Sequence, residues 1–431
     1  MKTRSLLRLI LGFGLVAVLA ISIPLMSGCT SPTAAPEPTP TPTPGEPIKI
    51  GAPLPLTGWA AADGVGYYQG LTFAVDEINA EGGLLGRPIE IVLFDTKDFA
   101  PETLKLAADQ MVGVDGVDMA SGGWSGWGGD VTAFGKYDIP YFEYDGSESS
   151  LLTIAEPGNE NVFQGSDNEY NSGVDSWNFM AELPYDYPNN KVALIGTDDA
   201  WGTGVVEGIR DLALENGWEV PIYEIVPYGT VEWGTVLSKV RREEPAWLHL
   251  EVVSPPDIIA FFNQFMEDPT PTLLNYGYSM SPPDFMLQMG AEADGILGWA
   301  GGYVGFPPPT QEVADWFTAF ELKFGNPPSA GAPWMYNSFM MWAEAVRQVG
   351  DPADHDAVVN WLATNQFQSM PGMRTINFGE RHVTPHAEFA GVYVQIQNGG
   401  QWNCLYHNVY GNPYVDYQGN SYEFQIPSWI E

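Results

Sequence analysis

The reactive side chains of this 431-residue chain are five His, two Cys and a large excess of carboxylates. Their spacing excludes most catalysis. His249, His355, His382, His386 and His407 are scattered, and the one close pair, His382 and His386, has Pro385 between its members. A proline there keeps the two imidazoles off one helix face, where a metal pair would need them. Neither a Gly-x-Ser-x-Gly elbow nor a His-Glu-x-x-His helix occurs. Cys29 and Cys404 are too few for a Cys-rich metal site or an iron–sulfur centre, and Cys404 has no nearby basic residue to activate it. Carboxylates are plentiful, but no pair at a defined separation is legible. The expectation is a protein that is not an enzyme and has neither a metal nor a cofactor.

Binding chemistry is what remains. Ser121-Gly122-Gly123-Trp124-Ser125-Gly126-Trp127-Gly128-Gly129 combines close backbone approach with aromatic walls, and it follows a strand and precedes a helix. Such loops can cradle phosphate, but the P-loop with its Lys and the dinucleotide fingerprint are both absent. Neighbours three apart cannot both be taken to face a solute, so Trp124, beside Ser125, is preferred over Trp127. Trp59, in the loop after the first strand, is a further candidate together with Asp63.

The elements that must position these residues alternate in type. Ile48-Lys49-Ile50 and Ile89 to Phe94 read as strands around a helix whose apolar positions are Tyr68, Leu71, Val75 and Ile78. Pro101 opens a helix carrying Leu104, Ala107, Ala108 and Met111. It is followed by a strand near 117–120, a helix near Val131 and a strand at 139–144. The alternation restarts at Lys191: strands at 192–195, 221–226 and 247–253, with helices at 204–215 and around Val236. Strands at 273–278 and 296–299, helices at 311–324 and 334–349, and a hairpin turning at Asn398-Gly399-Gly400 complete the pattern. Strand–helix alternation implies parallel sheets covered on both faces. The expected fold class is therefore α/β, with two doubly wound lobes.

Composition fixes the class of partner. Asp plus Glu number 54 against 17 Lys plus Arg, for a formal net charge of -37. Such a surface repels nucleic acid and anionic lipid. The hydrophobic fraction of 45% is ample for sizeable cores. At the N-terminus, Lys2, Arg4 and Arg8 precede an apolar run from Leu9 to Met26 and then Met26-Ser27-Gly28-Cys29, the pattern of an export signal. Small residues before Cys29 resemble a lipobox, although Met26 stands where Leu is usual. That resemblance implies lipidation at Cys29 and an extracytoplasmic, membrane-anchored protein in the periplasm or at the cell surface. A Pro/Thr-rich stretch follows and reads as an extended tether.

The stretch from Gly51 to Asp95 resembles the type I periplasmic solute-binding proteins, in the leucine/isoleucine/valine-binding branch that serves ATP-driven importers. The matching residues are Pro55-Leu56-Thr57-Gly58, Gly70, Ala74 to Asn79, Gly82-Gly83, Gly86-Arg87 and Phe94-Asp95. A second match is Asp198-Asp199-Ala200-Trp201-Gly202-Thr203-Gly204, and the resemblance runs in order from about Ile48 to Gly379. It implies two lobes joined by three crossings, with residues 48–165 and 299–372 in one and 166–298 and 373–431 in the other. Residues 1–28 are then the signal and 29–47 the tether.

By the same resemblance Ser125 falls where the family binds a ligand carboxylate, and Asp145 and Ser147 where it supplies a backbone group and a hydroxyl. Trp201 corresponds to the aromatic lid. Tyr278 stands where the amino-acid binders of the branch carry the acid that meets the ligand's ammonium. A buried ammonium without a counter-charge costs several kcal/mol. Glu251 at a strand end, or a cage of aromatic rings, is the expected substitute. The implied function is capture of a small amino-acid-like, amide or aromatic carboxylate ligand by closure of a monomer, read by a permease and ATPase complex. A ligand-sensing regulatory module of the same fold and a cell-envelope hydrolase are the alternatives.

Overall fold

In the computed structural model, residues 45–430 are described except 59, 98, 124–127, 167, 281–282, 301–306, 369–374, 380–381, 384–390 and 408–410. Cys29, Trp59, Trp124 and Ser125 lie outside the described residues. So do the side chains of 279, 283 and 284.

The first sheet is built from β1 (Ile48–Leu54), β2 (Ile89–Asp95), β3 (Met119–Ser121), β4 (Tyr141–Glu143) and β5 (Val162–Gln164), in the order β2-β1-β3-β4-β5. All its pairings are parallel, with Ile48 opposite Ile89 and Ile50 opposite Ile91. Strands of this apolar, β-branched kind need cover on both faces. Helices α1 (Ala61–Ala80), α2 (Pro101–Gln110), α3 (Gly129–Gly135) and α4 (Glu148–Ile154) supply part of it.

The second sheet holds β6 (Lys191–Thr197), β7 (Glu219–Val226), β8 (Trp247–Glu251), β9 (Leu273–Tyr276) and β10 (Leu297–Trp299). Two strands of a separate small ribbon come next, β11 (Phe367–Gln368) and β12 (Thr375–Ile376), and then β13 (Val392–Gln397) and β14 (Gln401–His407) join the second sheet. Its order is β14-β13-β10-β9-β8-β6-β7. The core of this sheet is parallel, while β13 and β14 are antiparallel, turning at Asn398, Gly399 and Gly400, all with positive φ. Helices α5 (Glu169–Glu182), α6 (Ala200–Glu215), α7 (Gly234–Glu243), α8 (Pro255–Met266) and α9 (Pro283–Met289) follow in this half.

Three further helices, α10 (Gln311–Phe324), α11 (Gly331–Val349) and α12 (His355–Thr364), come after β10 in the chain. The first two pack back on the first lobe. Phe73 of α1 meets Trp316 of α10 edge-on at 5.4 Å, and Ser121 at the end of β3 bonds Ser338 of α11 at 2.9 Å. At Gly70 the helices α1 and α11 touch so closely that a Cβ would stand 2.1 Å from the Ala332 carbonyl. This contact also explains why Tyr68, expected on the buried stripe of α1, is 36% exposed. Tyr67 is the ring turned towards α11, while Leu71, Val75 and Ile78 are buried as expected.

Phe378 packs on Phe142 and Phe163 at 6.2 and 5.0 Å, and Val383 bridges Gln164. Phe378 and Val383 therefore pack on the first lobe, past the boundary expected from the sequence at residue 372. No helix among the described residues is long and apolar enough to cross a membrane.

Candidate functional site

The carboxyl ends of strands from both sheets converge on one cavity of ≈ 50 Å³. One water needs roughly 10–15 Å³, so the space admits a small solute and not merely a single water. The side of the first sheet contributes Tyr144 and Asp145 after β4 and Ser166 after β5, and the side of the second contributes Trp201, Tyr228, Val253, Tyr278 and Trp299. Ser166 and Trp299 thus each fall across the lobe boundaries at 165 and 299 expected from the sequence. In an open α/β sheet this is where loops and helix N-termini can meet a ligand.

Local sequence explains each placement. Asp199 caps α6, its Oδ1 accepting from Gly202 N at 2.8 Å, and so the helix begins at Ala200 instead of Gly204. Trp201 is thereby fixed on the first turn. Its indole Nε1 donates to Glu251 Oε1 at 2.9 Å. Glu251 is 2% exposed and also accepts from Tyr278 N at 3.0 Å, with His249 Nε2 at 3.0 Å from its other oxygen. Gly277 permits this arrangement, since a Cβ there would stand 1.7 Å from Glu251 Oε2. The carboxylate thus sits behind the aromatic wall and holds it. Trp201, Trp299 and Tyr278 form that wall, with ring centroids 6.4 and 6.3 Å apart in sequence of contact.

Asp145 is 4% exposed and its two oxygens are each doubly hydrogen-bonded. Oδ1 accepts from Ser147 N and Ser147 Oγ at 3.0 Å, and Oδ2 accepts from Gly128 N at 3.2 Å and Ser150 Oγ at 2.6 Å. Ser147 is wholly buried, caps α4 by accepting from Ser150 N, and supports Asp145 from behind the cavity. Behind Asp145 lie two more buried carboxylates, Glu143 and Asp130, with one oxygen of each within 4.8 Å of the others. Sequence spacing gave no sign of this cluster. A carboxylate has about four lone-pair sites, and Asp145 has filled its own with protein donors, which leaves none for a metal. Burial, and then the charge of Asp145, pushes the Glu143 carboxyl well above its usual range.

Hydrogen bonds between described residues join the lobes. Tyr278 OH donates to Asp63 Oδ1 at 2.7 Å across the cleft, and Glu169 at the start of α5 accepts from Glu148 N of α4 at 2.8 Å. Burial lifts the carboxyl of half-buried Asp63 to about 6, against the smaller opposing effect of the Tyr278 hydroxyl. Burial likewise lifts Glu169 to about 7.

Of the residues singled out from the sequence, Asp145, Trp201 and Tyr278 line the cavity, while Ser147, Glu251 and Asp63 stand directly behind lining groups. Trp59, Trp124, Ser125 and Cys29 lie outside the described residues. Tyr144, Ser166, Tyr228, Val253 and Trp299 were not anticipated, although each follows or ends a strand, and that position was the available signal.

The sequence profile described as periplasmic binding protein matches residues 47–401. The chain belongs to the periplasmic binding protein family. The Leu/Ile/Val-binding protein homolog 8 of Brucella abortus is 25% identical over 300 residues, covering 66% of this chain and 72% of that protein. Two solved structures share the fold. One is the branched-chain amino acid transporter substrate binding protein of Streptococcus pneumoniae in complex with isoleucine, at TM-score 0.68 and 19% identity, covering 83% of this chain and 99% of that one. The other is a solute binding protein of R. palustris in complex with benzoate, at TM-score 0.68 and 20% identity, covering 86% and 98%. The relatives carry the branch read from the sequence, and the periplasmic-binding-protein fold with its two α/β lobes is the one expected.

Proposed function

We propose that this protein is the extracytoplasmic receptor of an ATP-binding-cassette importer, anchored through Cys29, and that it captures a small amino-acid-like, amide or aromatic solute by closing its lobes. The observation that supports this most is the cavity between the two sheets, lined from both lobes and spanned by the Asp63–Tyr278 hydrogen bond. Contacts to both lobes favour the closed state, and a ligand shifts that balance only by its preference for closed over open. Names of relatives add weight: one structure of the same fold holds isoleucine and another holds benzoate.

The test is calorimetry and small-angle scattering on the mature protein with branched-chain amino acids, amides and aromatic carboxylates. One-to-one binding accompanied by a smaller radius of gyration is expected. A ligand bound without compaction, or turnover of any bound compound, contradicts the reading.

A further inference from the structure

The described walls of the cleft are mainly aromatic and lie beside a buried acidic side chain, with the hydroxyls of Tyr144, Ser166 and Tyr228 as their other polar groups. Asp145 lines the cavity, yet both its oxygens already accept two hydrogen bonds from Gly128, Ser147 and Ser150. Its field reaches the cavity while its lone pairs are spent. Two of the rings are similarly committed by their polar ends: Trp201 Nε1 donates to Glu251, and Tyr278 OH donates to Asp63. These two side chains therefore turn ring carbon towards the solute. Among the described lining residues five of eight are aromatic, and none is Lys, Arg or His.

A primary ammonium needs acceptors for its three N–H groups and suffers in a site that withholds them. A methylated ammonium carries the same charge with no N–H to satisfy, and it is attracted by ring faces within about 6 Å. An anionic solute would meet Asp145 with Glu143 and Asp130 behind it.

We infer that this cleft recognises a quaternary ammonium group, held over the rings of Trp201, Trp299 and Tyr278 in the field of Asp145. The inference rests on the solute-capture reading and narrows its ligand class. Binding of choline and glycine betaine to the full mature protein tests it. The comparison compounds are ethanolamine and glycine, which keep the positive charge and add N–H groups, and 3,3-dimethylbutan-1-ol, which keeps the shape of choline and loses its charge.

Choline or betaine is expected to bind about tenfold or more tightly than its comparison compounds, since a desolvated cation–ring contact contributes on that scale. Trp299→Leu should abolish this preference, measured below the melting temperature of the unliganded variant so that only folded protein is compared. Equal binding of the carbon isostere, or tighter binding of the primary amines, overturns the inference and leaves solute capture intact. Failure of every quaternary compound overturns it too, and the amino-acid and aromatic-acid panel then decides solute capture separately.

Discussion

Under the proposed closure, the lobes come together with the carboxyl of Asp63 against Tyr278, and capture becomes sensitive to pH. With the Tyr278 contact made, this carboxyl is raised by burial from an ordinary 3.8 to about 6. Once the lobes part, solvent returns it towards its ordinary value. The closed state therefore binds the proton more tightly, and lowering the pH favours closing. That advantage is full below about pH 4 and disappears as the pH rises through about 6. A gap of about two pH units corresponds to about 3 kcal/mol, or roughly a hundredfold in affinity when closure is required for binding. Isothermal titration between pH 4 and 7, with a ligand that does not itself titrate there, should show affinity climbing as pH falls in the native protein. Asp63→Asn should flatten the part of the slope due to this group, leaving whatever Glu169 and Glu143 contribute. Tyr278→Phe removes the donor that favours the carboxylate, so the rise should begin at higher pH. A native profile flat across this range, or an identical slope in the Asn variant, refutes the reasoning.

Glu251→Ala leaves the Trp201 indole, the Tyr278 amide and the His249 ring without their shared acceptor. Unpaired buried donors cost about 1–3 kcal/mol each, so thermal unfolding should drop by several degrees and ligand binding should weaken with it. Lost binding at an unchanged melting temperature would instead mark Glu251 as a direct ligand contact. Glu143→Gln acts in the opposite direction. A buried acid whose carboxyl is raised above 4.5 holds a proton that the unfolded chain releases, and native stability falls as pH rises past that value. The Gln variant lacks this penalty and should melt higher than the native protein at pH 7, with the difference vanishing near pH 4. A lower melting temperature at pH 7 counts against the assignment.

The alternation of apolar runs made most of the parallel core legible, because strands covered on both faces announce themselves by composition alone. Ile48 to Ile50, Ile89 to Phe94 and Val192 to Ile195 all fall within observed strands. Helix starts were less visible: α6 opens at Ala200 because one carboxylate of Asp199 reaches Gly202 N, a contact that hydrophobic spacing does not report. Helix α5, rich in polar residues and broken by Gly173, offered too weak a stripe to read. In the site, Trp201 and Asp145 could be named from motif position. The partnership of Glu251 with Trp201 could not, since it joins residues separated by β7, α7 and β8. The clustering of Asp130 with Glu143 and Asp145 depends on the register of β4 against α3 and was equally hidden.

The donors that dress Asp145 all lie between Gly128 and Ser150, within a single lobe, whereas Trp201, Tyr278 and Trp299 belong to the other. Under the proposed closure, this acidic site is consequently complete before the partner half swings in. For the quaternary ammonium guest inferred above, arrival should be governed by this ready-made attractor and slow with added salt, while its residence time should be set by the rings that shut over it. Substitutions on the two sides should thus register in different kinetic constants, even where the equilibrium change is the same.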